Sequence, residues 1–151
     1  MPTTDETHWR TDDSVFLSVP GGREIADWFE LIPSFHDATL EKLELTNDAV
    51  SLVIRAFRMT SQVDSKGYFV LDKHALVTLR LSGVTGIQLE GESGVIISDL
   101  GMRRLSVKPN GWHTGSGPEA GDFEVAWDSC VGFDGVIFAR EVTLAFHPVE
   151  P

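Results

Sequence analysis

The hydrophobic positions of the chain change period near residue 33. Up to that point they recur at helical spacing: Ile25, Trp28, Phe29 and Ile32 fall at i, i+3, i+4 and i+7, with Glu24, Asp27 and Glu30 on the opposite face. The spacing predicts one amphipathic helix over 23–31. Pro33 ends it, because the residue before a proline is pushed out of the α region. From Ala38 onward the period is two. Leu43 and Leu45 alternate with Lys42, Glu44 and Thr46. Leu52, Ile54 and Ala56 share one face of the next segment and Val53, Arg55 and Phe57 the other, so the two segments form a hairpin across Asn47–Ala49. Further strands are expected at Tyr68–Leu71, at His74–Leu81 with Ala75, Val77, Leu79 and Leu81 inward, and at Ile87–Glu90, with Asp64-Ser65-Lys66-Gly67 as a turn and Gly83 and Gly86 as breaks. Two more follow at Phe123–Trp127 and Val136–Phe146, the latter with Val142, Leu144 and Phe146 on one face. Val15–Val19 reads as a short strand ended by Pro20-Gly21-Gly22. Val95–Leu105 fits either a strand or a short helix.

Strands at hairpin spacing behind one early helix predict an α+β fold: mainly an antiparallel β-sheet or a sandwich-like body, with one N-terminal amphipathic helix. Helical segments do not alternate with the strands, which argues against a doubly wound sheet. The 151 residues fit one domain. Residues 1–14, polar apart from Trp9, read as a flexible acidic arm, and 15–151 as a single α+β domain. Residues 110–121 hold four glycines and a proline and read as a long loop. One cysteine, Cys130, leaves no internal disulfide. The first eight residues lack the basic-then-apolar order of a signal peptide, and the apolar runs are far shorter than the roughly 20 residues of a membrane span. The expectation is a soluble, cytoplasmic protein with no membrane partner.

Charge narrows the partners. The net charge is −11 and unevenly spread: residues 1–50 carry 11 acids against 3 bases, residues 51–108 carry 5 against 8, and residues 109–151 carry 7 against 1. That balance opposes a nucleic-acid surface, which needs clustered Lys and Arg. It suits a basic partner, or simply keeps the chain in solution.

Candidate chemistry gathers where the period changes, at Pro33, Phe35, His36 and Asp37. His36 titrates near neutral pH and has a carboxylate beside it. In a strand, however, neighbours point to opposite faces, so Asp37 reads rather as a turn residue and Phe35 as a core plug beside Trp28. His8, His74, His113 and His147 share no metal-ligand spacing; a site from His36, His74, Asp99 and Cys130 would need the fold to assemble it. No nucleophile elbow exists, the glycines of 110–121 match no phosphate-binding pattern, and Cys130 sits in an acidic turn. No catalytic residue, metal site or cofactor is therefore assigned. Aromatic residues on polar segments point to partner contacts: Trp9 with Asp12 and Asp13 on the arm, and Trp112 with His113 on the loop. Trp112 folded back onto the sheet is the equal alternative. Trp28 and Trp127 read as core.

The segment Pro33-Ser34-Phe35-His36-Asp37-Ala38, the strand Leu40–Leu45, the stretch Val77–Leu89 and the turn Cys130–Gly135 with its closing strand resemble the immunity protein 50 family, found beside polymorphic toxins of bacteria. The resemblance runs over residues 28–146, with the six-residue hinge as its specific part. It implies a non-catalytic protein that neutralises a cognate toxin by occluding it, and the acidic surplus would suit a toxin with a basic surface. Two other readings stand beside it. One is a small-ligand-binding protein or enzyme with its site near His36, Asp37 and His113 under the 110–121 loop. The other is a structural subunit that self-associates through Trp9 and the arm; the oligomeric state is not legible.

Overall fold

The computed structural model describes residues 10–129 and 132–151. Two short helices, α1 (Asp13–Ser18) and α2 (Gly22–Phe29), precede six strands: β1 (Thr39–Thr46), β2 (Ala49–Val63), β3 (Phe69–Gly91), β4 (Asp99–Arg104), β5 (Phe123–Asp128) and β6 (Phe133–Pro148). The strands form one sheet in the order β1-β2-β3-β6-β5-β4, with every neighbouring pair antiparallel. Among the described residues all six strands belong to this one sheet. No helix among the described residues is long and apolar enough to cross a membrane.

The segment expected as a strand at Val15–Val19 is helical. Asp12 explains the difference: its carboxylate accepts from the N–H groups of Ser14 (3.0 Å) and Val15 (3.4 Å) and from the Ser14 hydroxyl (2.7 Å), capping α1 at its N-terminus. The Ser14 hydroxyl is the largest of the causes that hold this carboxyl below its ordinary value. Five residues are too few for periodicity to separate strand from helix, whereas a capping aspartate is specific. Residues 10–14 thus do not form a free arm. The Met102 N–H donates to the Thr11 hydroxyl (3.1 Å), and the Asp12 N–H to the Met102 carbonyl (2.9 Å).

Helix α2 buries Ile25 and Phe29 completely and Trp28 in part. It stops at Phe29, before Pro33 can act, because Glu30 takes a left-handed backbone (φ 62°) that glycine usually supplies. Glu30 is tied there by Arg58 (3.0 Å) and Lys73 (3.8 Å). Trp28 leans on Phe146 (5.6 Å between ring centres) and donates to the Lys73 carbonyl (3.2 Å), so it is a flank of the core, unlike the buried Trp127.

Three segments expected as separate strands merge into β3. The glycines read as breaks produce a bend: Gly83 is left-handed (φ 64°), and the pairing with β6 shifts register between Val84 and Gly86. Inward-facing positions change parity on β6, from Ala139 to Val142, while on β3 they shift from Leu81 to Val84 and back at Ile87. The ambiguous stretch 95–105 is β4 and the approach to it, with Leu100 and Met102 inward.

Beyond the bend the sheet curls until its edges meet. Antiparallel backbone bonds join residues 34–40 to residues 95–100: Leu100 N–H to Ser34 O (2.9 Å), Asp37 N–H to Ile97 O (2.8 Å), Ile97 N–H to Ala38 O (2.8 Å) and Leu40 N–H to Val95 O (2.8 Å). This seam carries the β1 edge onto the segment that enters β4. Inside the curl, Phe16, Ile25, Phe29 and Phe35 pack with Leu52, Ile54, Val77, Leu79, Val125, Trp127, Ile137 and Leu144 as one cluster. Each such side chain contributes roughly 1.5–3 kcal/mol by leaving water.

The link between the helices is pressed against β6, where Leu144 N–H donates to Pro20 O (2.8 Å). Gly21 is left-handed there (φ 88°), and a Cβ on it would overlap the Leu144 carbonyl; Gly67 has the same φ but open space around it. Gly67→Ala should therefore cost only the left-handed penalty, about 1–2 kcal/mol. Gly21→Ala should cost more than about 4 kcal/mol or prevent folding. Urea unfolding of the two variants measures the difference, and equal losses would contradict the close approach.

Candidate protein-binding surface

The hinge forms the seam. Pro33 and Phe35 are buried, and Phe35 and Asp37 both hold left-handed backbones at φ 61°. Such conformations cost non-glycine residues on the order of 1 kcal/mol each. The four seam hydrogen bonds over-determine them. Residues 36–37 are a turn and not extended, so the expectation that His36 and Asp37 point apart fails: His36 Nε2 lies 3.7 Å from an Asp37 oxygen. The Asp37 backbone N–H also serves the seam as a donor.

His36 is occupied. Its Nδ1 lies 2.8 Å from the Ser98 carbonyl, so Nδ1 carries a proton and donates across the seam. That bond, followed by the charges of Asp37 and Asp99, raises its pKa above the ordinary 6.5, with partial burial opposing. Of the other described groups named with it, only Asp99 lies near enough for its charge to act on His36. His74 packs against Phe57 (5.9 Å between ring centres), and Cys130 lies outside the described residues. Asp99 faces Asp128, whose carboxyl is pushed up first by burial and further by the charges of Asp99 and Asp134, while the Asp99 N–H (3.2 Å) opposes. Among the described residues no three His, Cys, Asp or Glu side chains could hold a metal.

The described members of the expected partner set are also dispersed. Trp9 lies outside the described residues. Asp12 is a helix cap and Asp13 the first residue of α1. Trp112 is the folded-back case: its ring stands edge-on to Phe138 (6.0 Å, 83°) and so close over Gly86 that a Cβ there would come within 2.7 Å. The loop beneath it is built around Lys108, whose ammonium donates to the carbonyls of Ser116 and Pro118 (3.0 Å) and to Glu119 (2.9 Å). His113 is exposed on that loop, which covers the middle of β3 and β6, while His36 and Asp37 sit at the seam. The structure therefore does not unite them in one site.

What the fold leaves exposed lies beside the hinge. Beyond Arg55 and Ala75, β2 and β3 run on without β1 or β6 as a two-stranded ribbon. Met59 opposes Leu71, and Val63 opposes Phe69. Phe69 and Leu71 are two residues apart, so all four share one face. They are exposed by 45%, 39%, 57% and 55%, and Tyr68 at the tip by 68%. The base of the ribbon is held by Arg58, which grips Asp72 with two bonds (2.8 and 2.6 Å) and reaches Glu30 at the C-terminal end of α2. These carboxylates raise the Arg58 pKa, and the Arg58 bond lowers that of Asp72. Asp64 orders the tip by accepting from the N–H groups of Lys66 (2.8 Å) and Tyr68 (3.0 Å). At its root the apolar strip runs into a 130 Å³ cleft formed by Leu31, Pro33, Phe35, His36, Phe57 and Met59. Sequence reasoning missed this strip, because Tyr68-Phe69-Val70-Leu71 reads only as a short strand; its charged flanks and the Asp64 turn were the available signals of a protruding tip.

No protein-family model matches the chain, and no curated protein or solved structure matches it either.

The raised pKa of His36 means that its seam bond adds stability below pH 6.5, and that this contribution is lost as the pH rises through the higher folded value. With 59% of the side chain exposed the effect on stability is small, so the direct readout is NMR titration of the His36 ring. A midpoint above 6.5 is expected; one at or below it would contradict a seam that favours the charged ring.

Proposed function

We propose that this chain is a non-catalytic protein-binding domain that engages a protein partner through the apolar face of the β2–β3 ribbon. The observation that carries the reading is the exposure of Met59, Val63, Tyr68, Phe69 and Leu71 on one projection. Contiguous apolar surface of this kind is costly to leave in water and marks interaction sites. The ribbon lies in residues 51–108, which carry 5 acids against 8 bases, within a chain of net −11. A partner with an apolar patch inside a basic surface fits the chain: the strip supplies contact energy, and the net charge of −11 speeds encounter. The hinge resemblance to immunity proteins supports a toxin as that partner and occlusion as the mode of action. A small-ligand or enzymatic site at the hinge has less support. His36 is committed to Ser98, and the adjoining cleft of 130 Å³ is well below the roughly 300–1,000 Å³ of ligand pockets.

The double variant Val63→Glu/Phe69→Glu tests the reading, because both side chains are exposed and the fold should not depend on them. Affinity purification from the source cell should recover a basic protein in stoichiometric amount with the wild-type chain, and lose it by at least about tenfold with the variant. Expression of that protein alone should be toxic and its co-expression with the wild-type chain harmless. Equal recovery with both baits would sink the ribbon as the binding surface; a recovered partner with no toxicity would sink the immunity reading alone.

A further inference from the structure

Of the 12 Lys and Arg, six have no carboxylate partner among the described residues: Arg10, Arg23, Lys66, Arg80, Arg104 and Arg140. Lys42, Arg55, Arg58, Lys73, Arg103 and Lys108 are all held in ion pairs. Arg104 and Arg140 have no carboxylate partner among the described residues, and both line the same cavity of about 370 Å³. The cavity lies where the α1–α2 link crosses the sheet beside β4, β5 and β6. Buried Val19, Phe123 and Val142 give it an apolar lining, with Ser18 and Thr143 adding hydroxyls and Glu141 its one acid.

Both arginines are supported by the fold. The Arg104 guanidinium stands 4.4 Å over the centre of the Phe123 ring, a cation–π contact that restricts it. The stem of Arg140 lies against Gly83, where a Cβ would come within 3.2 Å of it. The bend in β3 thus makes room for the Arg140 stem. A restrained guanidinium loses less entropy on forming the paired bonds that its fork makes to a carboxylate or phosphate. Two such groups beside an apolar lining, in a volume of the size that small ligands occupy, describe a site for an amphipathic anion.

We propose that this cavity binds a small organic anion, with its carboxylate or phosphate group on Arg104 and Arg140 and an apolar body against Val19, Phe123 and Val142. The inference is independent of the ribbon. Titration of the ¹⁵N-labelled full chain at low salt tests it, with benzoate and phenyl phosphate as the two head-group probes and benzyl alcohol as the uncharged body. Either anion should give saturable shifts confined to residues 18–20, 104, 123 and 140–143, and the tighter of the two identifies the head group. Benzyl alcohol should give none. Arg140 is exposed, so Arg140→Gln should keep the spectrum dispersed while weakening binding at least about tenfold. Arg104→Gln is the second arm, expected in the same direction, and Lys66→Gln at the ribbon tip should change nothing. Absence of saturable shifts with both anions, equal shifts with benzyl alcohol, or unchanged affinity in both arginine variants would overturn the proposal.

Discussion

An open antiparallel sheet has two edges, and the N–H and C=O groups along them must find partners or remain in water. Here the edges are brought together by a short ladder between residues 34–40 and 95–100, and the rest of the architecture follows from it. The curl needed to close the seam requires the bend at Gly83–Gly86 in β3 and the matching change of parity in β6. It also gives the sheet an inner face on which α1 and α2 can bury Phe16, Ile25 and Phe29. The strain at Phe35 and Asp37 is the local cost of turning the chain into the ladder, and Phe35 offsets it by filling the core.

Closure also decides which chemistry is spent inside the fold. His36 donates to Ser98, Asp12 caps a helix, Lys108 holds the long loop together, and Arg58 locks the ribbon to α2 through Asp72 and Glu30. Each could pass for a functional group in a sequence listing, and each is committed to structure. The features left over are of two kinds: an apolar strip on a projection that no second layer covers, and two arginines outside any ion pair that line one cavity. The first suits contact with a large partner. The second suits a small anion, because the paired charges lie in a cavity with an apolar lining.

The hydrophobic pattern alone determined a good deal. The period-two faces of β2, β3 and β6 were legible in Leu52, Ile54 and Ala56, in Ala75 to Leu81, and in Val142 to Phe146, because alternation reports burial on one side of a strand wherever that burial is complete. The charge distribution and the single cysteine were likewise complete in the sequence. The helix at 13–18 was misread because its hydrophobic positions are too few, and Asp12, read as a partner contact of the arm, is its cap. Tertiary structure decided the rest. A glycine reads the same whether it breaks a strand or bends one, and only the partner strand β6 shows that Gly83 and Gly86 bend it. His36 and Ser98 are 62 residues apart, Arg104 and Arg140 36 apart, and no local pattern links either pair. The exposed face of Met59, Val63, Phe69 and Leu71 is the same kind of fact. Hydrophobicity states what a side chain would gain by burial, and only the packed fold determines whether anything is there to bury it.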